Sequence, residues 1–371
     1  MKLILRVFVL SWLTIGLAMV AQATSPLPSA CMDGATECIQ SINVAGQSKR
    51  LTVYGTYSLL KRNTAVTRAF ILVHGTLRDA DNYFRTAVAG AFLAGRLADT
   101  MIIAPRFASN SNVPGNEAGG CHDSLAADEA NWICDPQRPD TWRSGGPEIG
   151  TDSLTSFDFL DALVARLSDR KLFPNMKAIV VAGHSAGGQF VVRYAMASTQ
   201  SVPADIALSY IVANPSSYAY LDEARPATRI ASTPTVSVVS TAAPAPQASR
   251  DDFGAFADAG NCTRYNDWPY GLEHRLGYAA RIDPGQLVKQ FTHRSVTYLL
   301  GDADVLPSGV FDTSCPAMAQ GTSRLERGVA FARYMHDRFG AAHTTIVVPY
   351  CSHSARCMFT ADVSLPAMFP K

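Results

Sequence analysis

The run Ile179-Val180-Val181-Ala182-Gly183-His184-Ser185-Ala186-Gly187-Gly188 decides how the rest of the sequence is read. Its four leading apolar residues, three of them β-branched, suit a fully buried strand. They meet a Gly-x-Ser-x-Gly turn, and beyond the turn Phe190, Tyr194 and Ala197 recur at helical spacing. Strand, sharp turn and helix in that order make a nucleophile elbow.

The chemistry accounts for the residue types. A serine hydroxyl is a weak nucleophile and needs a base within reach and amide donors aimed at the charge that develops during attack. A strand-to-helix turn lifts Ser185 above the sheet edge and leaves the Ala186 N–H at the positive end of the helix. Side chains at Gly183 and Gly187 would collide with the neighbouring strand and helix. By itself the pentapeptide carries modest information, since roughly 0.1 matches arise by chance in a chain of this length at average Gly and Ser usage. The flanking strand and helix, and the partners further along, give it weight.

Working outward, the first 23 residues read as a secretory signal peptide. Lys2 and Arg6 make a positive start, Val7 to Val20 an apolar core short for a membrane span, and Ala21-Gln22-Ala23 a small-x-small cleavage site. Losing this segment removes two positive charges and takes the formal charge of the 371-residue chain from +1 to −1. The remainder, residues 24–371, reads as one domain with insertions, and an exported protein of this kind is expected to be secreted or periplasmic without a stable membrane anchor. With no Lys/Arg cluster there is no electrostatic footprint for nucleic acid, which leaves a small or polymeric substrate of low charge.

All eight cysteines lie beyond the leader. In an exported protein an even number implies disulfides. Sequence proximity favours Cys31 with Cys38, Cys121 with Cys134 and Cys351 with Cys357, leaving Cys262 with Cys315. A zinc site built on Cys121, His122 and Cys134 competes for two of them, but the sequence lacks the paired ligand spacing such a site uses.

Taken in order, residues 24–46 read as a lead-in pinned by the Cys31–Cys38 loop, and Arg50 to Leu60 as an early strand weakened at Gly55. Ala69 to Val73 makes a short buried strand ending in His74-Gly75-Thr76, a turn suited to supplying a second oxyanion donor through the Thr76 N–H. Thr100 to Pro105 is the next strand. The long loop of about 106–150, with Trp132 and Trp142, is expected to form one wall of a substrate site. Ser153 to Leu167 is a covering helix whose acids, Asp152, Asp158 and Asp161, fit an early-helix charge preference. Ile206 to Ala213 is a buried strand, and Tyr218 and Tyr220 just past its end are candidate pocket residues. An aromatic-rich insertion of about 221–292, containing Trp268, follows and adds a third candidate for the pocket. Ser295 to Leu300 and Thr344 to Pro349 are the last two strands. Between them Leu325 to Phe339 forms a scaffold helix, with Arg324, Arg327, Arg333, His336 and Arg338 on its polar side.

The motif order Ile71-Leu72-Val73-His74-Gly75-Thr76, Gly183-His184-Ser185-Ala186-Gly187, Leu299-Leu300-Gly301-Asp302-Ala303-Asp304 and Ser352-His353-Ser354-Ala355 resembles the α/β-hydrolase superfamily over roughly residues 50 to 365. It is also similar to exported polyhydroxyalkanoate depolymerase-like esterases. The resemblance implies an α/β fold with a mostly parallel central sheet flanked by helices, the 221–292 insertion acting as a cap, and disulfides added. It selects Asp304 over Asp302 as the acid, by the pattern of Gly, two residues, then Asp at that strand end. It also makes His353, just past the final strand, the base, with Cys351 and Cys357 placed to lock its loop. The implied activity is carboxylic ester hydrolysis through Ser185, Asp304 and His353, with the Thr76 and Ala186 amides as oxyanion hole and no metal or organic cofactor. A secreted peptidase with the same triad and a non-catalytic binding protein of the same fold are the competing readings.

Overall fold

The computed structural model describes residues 29–112, 120–136, 138–151, 153–227 and 252–370. The signal-peptide segment lies outside them, as do residues 228–251 of the insertion.

β-branched, apolar runs become strands wherever both faces can be covered. The elements run β1 (Ile39–Asn43), β2 (Arg50–Gly55), β3 (Arg68–Val73), α1 (Ala80–Leu93), β4 (Thr100–Arg106), α2 (Ser156–Leu167), β5 (Ala178–His184), α3 (Ala186–Ala197) and β6 (Ala207–Ala213). A small hairpin-like pair follows, β7 (Ala224–Pro226) with β8 (Phe253–Ala255), then α4 (Pro284–His293), β9 (Ser295–Gly301), α5 (Cys315–Met318), α6 (Arg324–Phe339), β10 (Thr344–Val348), α7 (Ala355–Thr360) and α8 (Leu365–Met368). The main sheet has the order β1-β2-β4-β3-β5-β6-β9-β10. β1 and β2 pair antiparallel with each other, β2 pairs antiparallel with β4, and every pairing from β4 to β10 is parallel.

Parallel strands are covered on both faces, so they read as unbroken apolar runs; β5 is buried along its whole length. One face packs against α1, α7 and α8 through Phe70, Leu72, Phe84, Met358 and Phe359. The other packs against α2, α3, α4 and α6 through Ile71, Val181, Phe190, Leu160 and Phe331. The chain leaves β3 in one direction to form β4 and returns on the other side to form β5. The crevice for a ligand therefore opens above the carboxyl ends of β3 and β5, beside Ser185.

Two local differences from the sequence reading have simple causes. The early strand stops at Gly55 rather than Leu60, and β1, inside the expected lead-in, extends the sheet as an exposed antiparallel edge. The polar side expected for α6 is only partly there: His336 is exposed, but Arg324 and Arg327 are fully buried because their guanidinium groups satisfy loop carbonyls packed over the helix start. Asp158 does close an N-terminal capping box with Thr155. Asp161 does other work, accepting hydrogen bonds from Tyr194, Ser198 and Tyr278 and so tying α2 to α3 and the insertion.

Candidate active site

Ser185 occupies the turn between β5 and α3 with φ 59° and ψ −118°, a conformation that non-glycine residues rarely adopt and that surrounding structure must impose. The imposition is visible. A Cβ on Gly183 would lie 2.2 Å from the Gly187 carbonyl oxygen, one on Gly187 would lie 2.2 Å from that of Val73, and one on Gly188 would lie 2.6 Å from that of Ala213. The Ser185 N–H donates to the Ala213 carbonyl at 3.0 Å, fixing the turn to the end of β6.

Three side chains from distant parts of the chain meet here. His353 Nε2 lies 2.9 Å from Ser185 Oγ, and His353 Nδ1 lies 2.8 Å from Asp304 Oδ2. Asp304 is fully buried, whereas Asp302 is half-buried and its buried Oδ1 makes no hydrogen bond among the described residues. The other Asp304 oxygen, Oδ1, faces Arg324 Nη1 at 3.5 Å, and both side chains are shut off from solvent. Arg324 is itself held by Ser216 Oγ and by the carbonyls of Ser308 and Val310. Burial pulls its guanidinium down, and the Asp304 carboxylate pushes it back up.

The loop carrying His353 is docked rather than loose. The Cys351 carbonyl fits against Gly301, where a Cβ would come within 2.3 Å of it, and accepts from the Ala303 N–H at 3.1 Å. Cys351 is disulfide-bonded to Cys357, and Ser354 caps α7. Asn214, fully buried with φ +42°, joins all three pieces: its Oδ1 accepts from the Gly301 N–H at 2.9 Å and its Nδ2 donates to the Ser352 carbonyl at 3.4 Å.

The His74-Gly75-Thr76 turn borders the serine from the other side, with Gly75 close enough that a Cβ there would sit 3.8 Å from Ser185 Cβ. His74 is buried and neutral: its Nδ1–H donates to the Gly75 carbonyl at 2.8 Å and its Nε2 accepts from the Phe107 N–H at 2.9 Å. Burial pushes its pKa down to about 4. In a trans peptide C=O and N–H point in opposite directions. Holding the Gly75 carbonyl on one side therefore turns the Thr76 N–H to the other. Among the described residues neither the Thr76 nor the Ala186 N–H donates a hydrogen bond within the protein. His184, beside the serine, packs tilted against His353 with ring centroids 4.6 Å apart and lies 3.1 Å from the Tyr83 hydroxyl. Burial, aided by His353 and Arg324, drives its pKa well down.

A model described as the alpha/beta hydrolase family matches residues 70–363 of the chain. The chain belongs to that family. Among solved structures, the poly(3-hydroxybutyrate) depolymerase LpqC of Bordetella parapertussis aligns at 16% identity over 86% of this chain and 84% of its own, with a TM-score of 0.53. Poly(aspartic acid) hydrolase-1 of Sphingomonas sp. KT-1 aligns at 20% identity over 86% of this chain and 95% of its own, with a TM-score of 0.51. At these identities the likeness is one of fold. No curated protein sequence matches the chain.

In this hydrolase the three aromatic residues expected to line a pocket lie in the interior instead. Tyr218 and Tyr220 are 0% exposed and pack on Phe331 of α6, because the chain after β6 turns into the core before it reaches the insertion. Trp268 is also buried, and its Nε1–H donates to the Ser144 carbonyl, clamping the insertion onto the long loop. The tryptophans of that loop, Trp132 and Trp142, are likewise core anchors around Phe107. All eight cysteines are paired, as Cys31–Cys38, Cys121–Cys134, Cys262–Cys315 and Cys351–Cys357, so Cys121 and Cys134 offer no thiolate to a metal. The sequence reading missed Asn214 and Arg324. An asparagine closing a strand is a readable turn signal because its side chain tolerates left-handed backbone, although the proline after it argues for extended backbone; nothing in the sequence tells Arg324 from the exposed arginines of its helix.

Proposed function

We propose that this chain is an exported serine hydrolase that cleaves carboxylic esters through an acyl-enzyme. The observation that carries the reading is His353, hydrogen-bonded on one ring nitrogen to Ser185 and on the other to Asp304. In that arrangement His353 takes the Ser185 proton as the hydroxyl attacks the ester carbonyl, and Asp304 fixes the tautomer and stabilises the imidazolium. The Thr76 and Ala186 amides receive the oxyanion, and collapse of the tetrahedral intermediate expels the alcohol with the proton returned by His353. Water then repeats the cycle on the acyl-Ser185. The four disulfides support export to an oxidising compartment.

The test is labelling with a fluorophosphonate and turnover of p-nitrophenyl acyl esters. Wild type is expected to label at Ser185 and to hydrolyse the esters. Ser185→Ala, folded as judged by circular dichroism, is expected to lose labelling and at least roughly 10⁴-fold in kcat. A wild-type protein that neither labels nor turns over ester sinks the reading in favour of a binding role.

A further inference from the structure

The triad accounts for one buried arginine, Arg324. Four more are buried with no carboxylate within ion-pair distance among the described residues, Arg143, Arg193, Arg225 and Arg327; of these Arg143 is 8% exposed and Arg193 2% exposed. Arg193 is solvated by neutral oxygens only, its Nε donating to the Pro269 carbonyl at 3.1 Å, Nη1 to the Arg143 carbonyl at 3.4 Å and Nη2 to Ser217 Oγ at 3.1 Å. Arg143 is barer still: one Nη2 bond, 3.4 Å long, to the Cys134 carbonyl. The rest of its fork has no protein partner among the described residues.

Both stand on elements that border Ser185, Arg193 on the helix that follows it and Arg143 on a turn packed against the oxyanion loop. Ser185, Gln189 and Arg193 succeed one another at four-residue spacing, so they share one face of α3; the Gln189 side chain donates to the same Ser217 hydroxyl that Arg193 uses. Arg143 belongs to the Trp142–Ser144 turn. That turn is pressed against the oxyanion loop by Trp142, whose ring centroid lies 4.8 Å from that of His74. From the other side it is held by Trp268 and by the Tyr278 N–H, which donates to the Gly145 carbonyl. Burial lowers the pKa of both guanidinium groups, that of Arg193 to about 10; Tyr270 and Asp312 oppose this from the insertion side. Asp312, which accepts from the Tyr270 hydroxyl at 2.8 Å, is the acid they share, and Arg327 draws on it as well; Asp135 adds a second, weaker carboxylate field at Arg143. Arg78, on the oxyanion loop, adds to the positive field at Arg143, although its own charge is matched by Asp123.

Arg143 and Arg193 are thus held by neutral oxygens, with Asp312, and for Arg143 also Asp135, acting only from beyond ion-pair distance, and a buried ion without a hydrogen-bonded counter-charge is costly. A ligand anion removes that cost. We propose that the crevice beside Ser185 contains a carboxylate subsite in which Arg143 receives a free carboxylate of the ester substrate, with Arg193 bracing the Arg143 backbone and reinforcing the field. The planar two-pronged fork of arginine matches a carboxylate, so the substrates are half-esters of dicarboxylic acids or esters cut from acidic oligomers. The assignment rests on the serine hydrolase reading above and extends it to substrate class.

Two matched pairs place the charge on either side of the scissile bond: mono-p-nitrophenyl adipate against p-nitrophenyl hexanoate, and 4-carboxyphenyl hexanoate against phenyl hexanoate. The readout is the ratio of kcat/KM, charged over neutral. Wild type is expected to favour the charged member of at least one pair by tenfold or more, less so as KCl is raised. Arg143→Met is expected to bring that ratio near one and Arg143→Lys to leave an intermediate value, each variant being scored only if fluorophosphonate still labels Ser185. A wild-type ratio of one or below in both pairs, a ratio that persists in Arg143→Met, or no turnover of either charged ester by an enzyme that labels, overturns the subsite and leaves the hydrolase reading standing. Absence of labelling in wild type removes both.

Discussion

Arg324 and Asp304 face each other in the interior with no water-accessible surface on either side chain, and their pairing sets the surroundings of the proposed triad acid. A carboxylate left alone at that depth would carry a large desolvation cost. Arg324 on one oxygen and His353 on the other hold it in one orientation. Their approach is an ion pair without hydrogen-bond geometry. Its value is therefore electrostatic compensation rather than direct bonding, and removing the cation exposes the cost. Arg324→Met is expected to lower unfolding free energy by about 3–5 kcal/mol, measured by urea denaturation. The double change Arg324→Met with Asp304→Asn should recover a good part of that loss while remaining inactive. If the double variant is less stable than the single by the full cost of Asp304→Asn alone, the two residues are not coupled and the compensation account fails.

At the scale of elements, the sheet and its loops divide the labour: strands fix where Ser185, Asp304 and His353 emerge, and loops close the last few ångströms. The Cys351–Cys357 bridge, on the loop that carries His353, closes the smallest of the four disulfide rings, with a sequence separation of 6. On the chain-entropy account so small a ring stabilises by only about 2 kcal/mol. Its larger effect is expected on geometry. Cys351→Ser with Cys357→Ser should lower kcat by roughly tenfold or more through a looser base, with KM changed less and most of the fold's stability retained; equal losses in KM alone would argue that the bridge shapes the binding surface instead. The strands were readable because burial on both faces leaves unbroken apolar runs, as in β3, β5 and β6. β1 was hidden because an edge strand with one exposed face, Ile39–Asn43, has almost no pattern. Tyr218, Tyr220 and Trp268 were misplaced because aromatic residues near a strand end look alike in sequence whether they turn toward crevice or core; only the packing against Phe331 and Ser144 tells them apart.

Across the whole molecule, two neutral histidines sit at the junction of sheet and crevice, and folding is coupled to their deprotonation. His74 has its pKa pushed to about 4 and His184 is driven well below its ordinary 6.5, both chiefly by burial. In the unfolded chain both bind a proton as pH falls through about 6.5; in the folded chain His74 does so only near 4. Between those values the unfolded state holds more protons, so folded-state stability is complete above about 6.5 and declines on acidification. Each histidine contributes a slope of up to about 1.4 kcal/mol per pH unit, and the His74 contribution saturates at roughly 3 kcal/mol once pH reaches about 4. The raised pKa values of half-buried Asp161 and buried Glu148 work in the opposite sense, which places the clean window above the carboxylate range. Urea midpoints of the disulfide-intact protein between pH 5 and 7.5 should fall steadily toward the acid end. His184→Asn should flatten that slope by up to one proton's worth. A slope unchanged in His184→Asn would mean that His184 is not among the groups whose protonation opposes folding, and that the acid sensitivity resides in His74 or in the loop it supports.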